Sequence, residues 1–376
     1  MFFNGRLFLR ALSLHFLGPR PTLRRWAYGI LFVGLFAAFR SVVWTGWWVD
    51  RLLFPKFRRQ PVRSPVFIIA PPRSGTTLTQ RLLSLDEERF VHWKLYQTIF
   101  PAICLQRLIS GMGRVDAWLG RPIGRLLGVL ERRCLGGWDG LHTLRLNQPE
   151  EDDALFLYGF ASEAAYLLFP YTRDLWELGF LDALPEVSRR RLSAYYRECL
   201  QRHLHANGHG RTLLSKATQS CGFVDSLLTE FPDARFITIV RHPDQSIASH
   251  VSLFMPAWRH HSPEIAKDGP EAREYAELAV EWYRHLHAFR DKVPPSQHYC
   301  IDYRDLVRDP GATVHSVYGH FGWEMSEAFA SRLEEETRRH RGFSSRHDYS
   351  LDRFGLSREW VRERLGPILE FHGLES

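Results

Sequence analysis

A short apolar run, Val66-Phe67-Ile68-Ile69-Ala70, breaks into Pro71-Pro72-Arg73-Ser74-Gly75-Thr76-Thr77 and resumes with leucines at helical spacing, Leu78, Leu82 and Leu83. Brief β-branched apolar runs mark strands buried on both faces, the situation of a parallel sheet. Parallel strands need crossover connections, and helices supply them. The pattern recurs. Thr212-Leu213-Leu214-Ser215 precedes a helical stretch to Phe231, and Phe236-Ile237-Thr238-Ile239-Val240 leads through Arg241-His242-Pro243-Asp244 into a helix to Phe254. Tyr299-Cys300-Ile301 reads as a last strand and Phe90-Val91-His92-Trp93 as another short one, with longer helices over 188–206 and 271–292 and after Pro310, Ser326 and Ser357. Residues 95–135 read as helix interrupted at Pro101, Gly111, Gly113 and Gly120, and Pro149-Glu150-Glu151-Asp152-Asp153 as a helix start with acids in its first turn. The alternation predicts an α/β fold, a P-loop-like three-layer α/β/α arrangement with a central parallel sheet and sites at the carboxyl ends of its strands.

The charge is unevenly placed. The chain of 376 residues carries +7, yet residues 1–60 hold ten Lys and Arg against one acid, Asp50. The body is therefore slightly acidic, which excludes the basic surface that nucleic-acid binding requires. The basic arm is also apolar: Trp26 to Phe39 is fourteen residues without a charge, followed by Arg40 and Ser41-Val42-Val43-Trp44-Thr45-Gly46-Trp47-Trp48-Val49. A span needs ~20 apolar residues, and an arginine near its middle costs ~2.5–3.5 kcal/mol on insertion scales. Three readings are open: an apolar basic helical arm lying on or half inserted into an anionic membrane surface, a transmembrane helix, or a hairpin in a soluble core. The first is the expectation, with residues 1–60 as a membrane-associated arm and 61–376 as the main folded domain. Five scattered cysteines, Cys104, Cys134, Cys199, Cys221 and Cys300, form no C-x-x-C pair. They exclude a disulfide framework, suit a reducing compartment and leave no cysteine zinc site, and no metal is expected.

The turn after the first strand is an anion cradle. Backbone N–H groups at a helix start converge on one spot, Gly75 allows close approach, and Ser74, Thr76, Thr77 and Arg73 add donors. It is not a triphosphate-cleaving loop. Thr76 stands where G-x-x-x-x-G-K-[ST] has its lysine, and Ala70 where it has its first glycine. A second strand-to-helix turn carries Arg241, with Ser249 eight residues on, nearly two helical turns into the next helix. Two such sites on one sheet suit a nucleoside with separated phosphates. Lys216, one of only five lysines, follows a third strand end and points at the same crevice.

Residues 66–85 and 211–254 together resemble the PAPS-dependent sulfotransferases, where PAPS is 3′-phosphoadenosine 5′-phosphosulfate. Arg73-Ser74-Gly75-Thr76-Thr77 is similar to their 5′-phosphosulfate loop, and Arg241 with Ser249 to their 3′-phosphate pair. Lys216, Phe231-Pro232-Asp233-Ala234-Arg235-Phe236-Ile237, Tyr303-Arg304-Asp305-Leu306-Val307 and His347-Asp348-Tyr349-Ser350-Leu351 are similar to a mostly bacterial subgroup that includes the tyrosylprotein sulfotransferases. The resemblance covers residues 62–372 and implies in-line sulfuryl transfer from PAPS to an acceptor hydroxyl without a metal. It gives Arg73 and the loop charge neutralisation, and Lys216 the bridging oxygen. Lys94 in His92-Trp93-Lys94-Leu95 stands where many relatives show glutamate as the base, which leaves His142 or Glu151. The arm suggests a hydrophobic or lipid-linked acceptor; the alternatives are the same donor with a glycan or protein-tyrosine acceptor, or a nucleotide-binding membrane protein without catalysis. Because PAPS is made in the cytosol, a bacterial enzyme of this kind is expected on the cytoplasmic face.

Overall fold

The computed structural model describes residues 1–18, 22–126, 128, 146–340 and 350–375. The apolar runs form five parallel strands, β1 Val66–Ile69, β2 Phe90–His92, β3 Thr212–Lys216, β4 Arg235–Val240 and β5 His298–Asp302, in the order β2-β3-β1-β4-β5. Their alternation decides the layers. Val66, Ile68, Leu214, Ile237, Ile239 and Ile301 face one core, and Phe67, Ile69, Leu213 and Phe236 face the other.

Among the described residues the helices run α1 Gly5–Leu17, α2 Leu23–Leu53, α3 Thr76–Leu83, α4 Leu95–Ile99, α5 Ile103–Trp118, α6 Asp153–Leu157 and α7 Glu186–His203. They continue with α8 Val224–Glu230, α9 Pro243–His261, α10 Pro270–Phe289, α11 Tyr303–Arg308, α12 Pro310–Phe321, α13 Glu327–His340 and α14 Arg358–Phe371. Helices α3, α12 and α13 cover the first face of the sheet, and α7, α9 and α10 the second. β1 lies between β3 and β4, so the turns after these three strands meet where chain order reverses, the natural crevice of a doubly wound sheet.

Two local expectations are corrected. The helix expected from Pro149 starts only at Asp153. Pro149 forms an antiparallel bridge with Lys94, the Glu150 N–H donates to the Trp93 carbonyl at 3.0 Å, and the Asp152 N–H donates to the Lys216 carbonyl at 3.2 Å. Two strand ends hold these amides, so they are not available to a helix. Gly111 and Gly113 do not break α5. Glycine costs roughly 1 kcal/mol inside a helix, and packing of α5 against α2 offsets that cost.

The arm folds against the body. Phe2, Leu7, Ala11, Phe36, Val43 and Trp47 share one core with Phe67 and Leu213. Asp50 is fully buried and pairs with Arg202 at 3.2 Å, and the Arg202 guanidinium lies 3.7 Å from the Trp47 ring and 4.0 Å from that of Phe57. The Asp50 carboxylate also accepts the N–H groups of Ile103 and Cys104 at 2.8 and 2.9 Å, capping α5. Gly46 is required here, since a Cβ would fall 2.8 Å from the Ala102 methyl group. At the opposite end, Arg25 donates to the Ser262 hydroxyl at 2.9 Å and pairs with Glu264. Arg40, midway, donates to the Tyr158 carbonyl and lies 4.2 Å over the Phe3 ring. The helix runs through Arg40 unbroken because the guanidinium turns inward to the body.

Candidate active site

β1 ends in Pro71-Pro72, and the chain reverses through Arg73 at φ +67° and Gly75 at φ +96°. A side chain at Gly75 would be strained at that φ and would lie 2.8 Å from Leu306 and 3.2 Å from Tyr303. The first bond into α3 runs from the Thr79 N–H to the Gly75 carbonyl at 3.1 Å. The N–H groups of Thr76, Thr77 and Leu78 therefore lack intrahelical acceptors. Ser74 is fully buried, and its hydroxyl has no hydrogen-bond partner among the described residues. A compact anion with several acceptor oxygens matches this donor set.

The second turn closes onto the first. Arg241, after β4, donates to the Arg73 carbonyl at 2.5 Å and to the Gln245 Oε1 at 2.8 Å, and its guanidinium lies 4.3 Å from the Tyr303 ring. Arg73 Nε donates to the buried Ser249 Oγ at 3.1 Å. Ser246 donates to the Pro72 carbonyl at 2.7 Å, and the Tyr283 hydroxyl to the Arg241 carbonyl at 2.9 Å. Arg241 and Ser249 are thus joined to the Gly75 turn through one residue, Arg73. Asp244 is not the partner of Arg241 and faces Arg358 and His242 instead.

Lys216 closes β3, beside β1, and is 1% exposed. Its ammonium donates to Thr77 Oγ1 at 3.2 Å and lies 3.0 Å from a Glu151 oxygen and 3.9 Å from one of Glu150. The Thr218 hydroxyl spans Asp153 and Glu151 at 3.2 and 3.4 Å. Below them, Asp152 accepts from Tyr196 at 2.5 Å and Ser215 at 2.8 Å, and burial pushes its carboxyl up to about 6. Burial, then the Glu151 charge, holds the Asp153 carboxyl well above the usual range. His142 lies outside the described residues. Glu150 follows the bridge between Pro149 and Lys94, so this turn sets its acids next to the end of β2.

Sequence reasoning passed over Gln245, Ser246 and Tyr283, which hold Arg241 and Pro72 in place. Gln245 had a readable signal, its i+4 spacing from Arg241. The other two are recognisable only in three dimensions. Asp182, Asp225 and His285 place ligand atoms within 4.8 Å of one another. The Asp182 carboxylate already caps α8 through the N–H groups of Asp225 and Ser226 at 3.0 and 3.1 Å, which accounts for the cluster.

Residues 65–327 match the sequence model of the Sulfotransferase family. The chain is 26% identical over 362 residues to the omega-hydroxy-beta-dihydromenaquinone-9 sulfotransferase Stf3 of Mycobacterium bovis and to that of Mycobacterium tuberculosis, covering 93% of this chain and 85% of each relative. The fold is similar to the sulfotransferase STF1 of Mycobacterium tuberculosis, with a TM-score of 0.70, 22% identity and coverage of 96% of this chain and 92% of that one. It is also similar to STF9 of Mycobacterium avium, with a TM-score of 0.67, 20% identity and coverage of 86% and 80%.

Proposed function

The chain belongs to the sulfotransferase family, and we propose that it transfers the sulfuryl group of PAPS to a hydroxyl of a hydrophobic or lipid-linked acceptor, releasing 3′,5′-ADP. The observation that carries the donor is the linkage of Arg241 and Ser249 to the Gly75 turn through Arg73. One bisphosphorylated nucleoside can then be held at both ends by groups already in contact. The donor set fits that ligand, with spare N–H groups and the Ser74 hydroxyl at one end and the Arg241 guanidinium with Ser249 at the other.

The chemistry calls for positioning and charge neutralisation. Ser74, Thr76, Thr77 and Arg73 hold the 5′ end. Lys216, already hydrogen-bonded to Thr77, places its ammonium at the oxygen that links sulfur to phosphate. As the acceptor oxygen bonds to sulfur, that S–O bond breaks and its electron pair leaves on the 5′-phosphate. Glu151 takes the acceptor proton, replacing the glutamate absent at Lys94. Lys216 and Glu151 serve opposite ends of the transferring group, so their 3.0 Å contact opens when both substrates enter.

The acceptor reading has two supports. The mycobacterial relatives are named for an omega-hydroxylated menaquinone, a lipid-linked hydroxyl. The arm of residues 1–60 adds +9 of charge and a long apolar helix to the catalytic body of 61–376. We place the enzyme at the cytoplasmic face of a membrane, where PAPS is available. The test is incubation with labelled PAPS and a membrane lipid extract. Label entering lipid is expected, and label entering soluble sugars or peptides instead rejects the acceptor. Paired Glu151→Gln and His142→Ala variants assign the base. Loss of turnover in the first and its retention in the second are expected, and the reverse moves the role to His142.

A further inference from the structure

Helix α2 is long and apolar enough to cross a bilayer. Its contacts favour another orientation. Arg25, Gly29, Phe36, Val43, Trp47 and Asp50 are buried along one face from end to end. At 1.5 Å per residue this seam lies on the body for about 37 Å. A helix tied down at Arg25, Arg40 and Asp50 cannot stand across hydrocarbon without drawing in Glu264, the Tyr158 carbonyl and Arg202. The outward face, with Leu31, Leu35, Phe39 and Val42 between 44 and 56% exposed, points away from the body.

Helix α5, packed beside α2, carries a second exposed apolar stripe. Leu108, Met112, Val115 and Trp118 follow one helical stripe and are 53–84% exposed, and Leu119, Ile123 and Leu126 continue it. α5 packs against α2 where Gly46 admits Ala102 and Leu105. An apolar surface of this extent marks an interaction site. Its charges name the occupant. Residues 1–60 and 101–126 contain two acids, Asp50 and Asp116, and both are buried against backbone N–H groups, Asp50 on Ile103 and Cys104, Asp116 on Ile123 and Gly124. Every charged group that these segments expose is cationic, among them Arg24, Arg107, Arg114 and Arg125. Trp26, Trp44, Trp48 and Trp118 are exposed beside them, as a headgroup boundary favours.

We infer that α2 and α5 together form a monotopic seat lying in the plane of an anionic phospholipid bilayer, with α5 as a second lipid-contacting element that the basic arm alone does not supply. The seat adjoins the candidate site. Tyr158, which accepts from Arg40 and donates to the Ile99 carbonyl at 2.5 Å, follows Asp153 by one short helix, α6. An acceptor dissolved in the bilayer therefore meets the acid-bearing turn at the edge of the seat. The inference extends the proposed membrane association and needs neither the donor nor the acceptor assignment.

The test uses the full chain and vesicles of phosphatidylglycerol and phosphatidylcholine. The wild type is expected to sediment with anionic vesicles, and a Leu108→Ser, Met112→Ser, Val115→Ser variant to partition at least about tenfold more weakly with unchanged 3′,5′-ADP binding and melting. An environment-sensitive fluorophore is then placed at Ala27→Cys, Ala38→Cys, Thr45→Cys or Met112→Cys, in a chain lacking Cys104, Cys134 and Cys300. Lipid-borne quenchers should find all four probes at one shallow depth. A depth change of about 27 Å between positions 27 and 45 means a crossing helix and overturns the inference. So does absence of vesicle binding, including the case of a stable dimer burying this face. Transfer to detergent-dispersed acceptor without vesicle binding refutes the seat and spares the reaction. Vesicle binding without label in lipid does the opposite.

Discussion

Replacing Lys216 by methionine separates what this residue does for the fold from what it does for turnover. The ammonium is almost fully enclosed and lies 3.0 Å from Glu151, 3.9 Å from Glu150 and 3.2 Å from the Thr77 hydroxyl. Removing one partner of a buried pair costs about 3–5 kcal/mol because the other charge is left uncompensated. The Glu151 side chain is 25% exposed, so water recovers part of that loss, and about 2–3 kcal/mol is expected in urea denaturation. The rate should fall further. A preorganised cation at a developing oxyanion is worth roughly 10²–10³ in turnover, about 2.7–4 kcal/mol. The double variant Lys216→Met, Glu151→Gln tells the two apart. With both charges gone the fold recovers part of its stability, while turnover with labelled PAPS drops below that of either single variant. Calorimetric titration with 3′,5′-ADP should change by less than about threefold in Lys216→Met, as the proposed role at the leaving oxygen requires. Turnover within threefold of wild type refutes the assignment. Loss of nucleotide binding together with turnover refutes it differently, by showing that Lys216 serves the loop through Thr77.

Gly75→Ala forces a Cβ against Leu306 at φ +96°, and it should weaken 3′,5′-ADP binding by more than about tenfold in calorimetry while lowering the melting temperature only slightly. Arg241→Gln should weaken the same binding with little change in the rate from bound substrates, as its proposed place at the end of the nucleotide remote from sulfur implies; an equal fall in kcat would contradict this. Asp152 sits near 6 in the fold against an ordinary 3.8, mainly from burial. A raised carboxyl gives stability that is complete below pH 3.8 and lost as pH rises through about 6, so at neutral pH ionisation of this one group costs roughly 3 kcal/mol. Stability measured between pH 4 and 7 should fall in the wild type relative to Asp152→Asn, and parallel curves would remove this account. Asp50→Ala uncaps α5 and leaves the buried Arg202 with Glu198 at 3.1 Å as its remaining carboxylate partner, a loss of about 3 kcal/mol, and Asp50→Ala with Arg202→Leu should recover part of it.

What the sequence disclosed is what local chemistry dictates. Val66-Phe67-Ile68-Ile69 reads as a strand buried on both sides of the sheet because both of its faces are apolar, and Gly75 reads as a turn because Pro71-Pro72 end the apolar run before the helical leucine spacing begins. Arg241 and Ser249 are legible together because a helix starting at Pro243 fixes their spacing. The contacts that make the site one unit are long-range and leave no period: Arg73 reaches Ser249 across 176 positions, and Lys216 reaches Thr77 across 139. The acid turn misled for a related reason. Proline followed by four acids has the composition of a helix start, yet its amides are taken by Trp93 and Lys216, which only the sheet order brings near. The arm carried one clue that composition alone hides. A single acid among ten basic residues is out of place on a surface meant for anionic lipid, and it is tolerable only if it faces inward. Asp50 does so, spending its charge on Arg202 and on the first amides of α5. The residue that fastens the arm to the body thus also orders the second helix of the outward apolar face. On the inferred seat, loosening Asp50 should impair vesicle binding as well as stability, although Asp50 itself is fully buried.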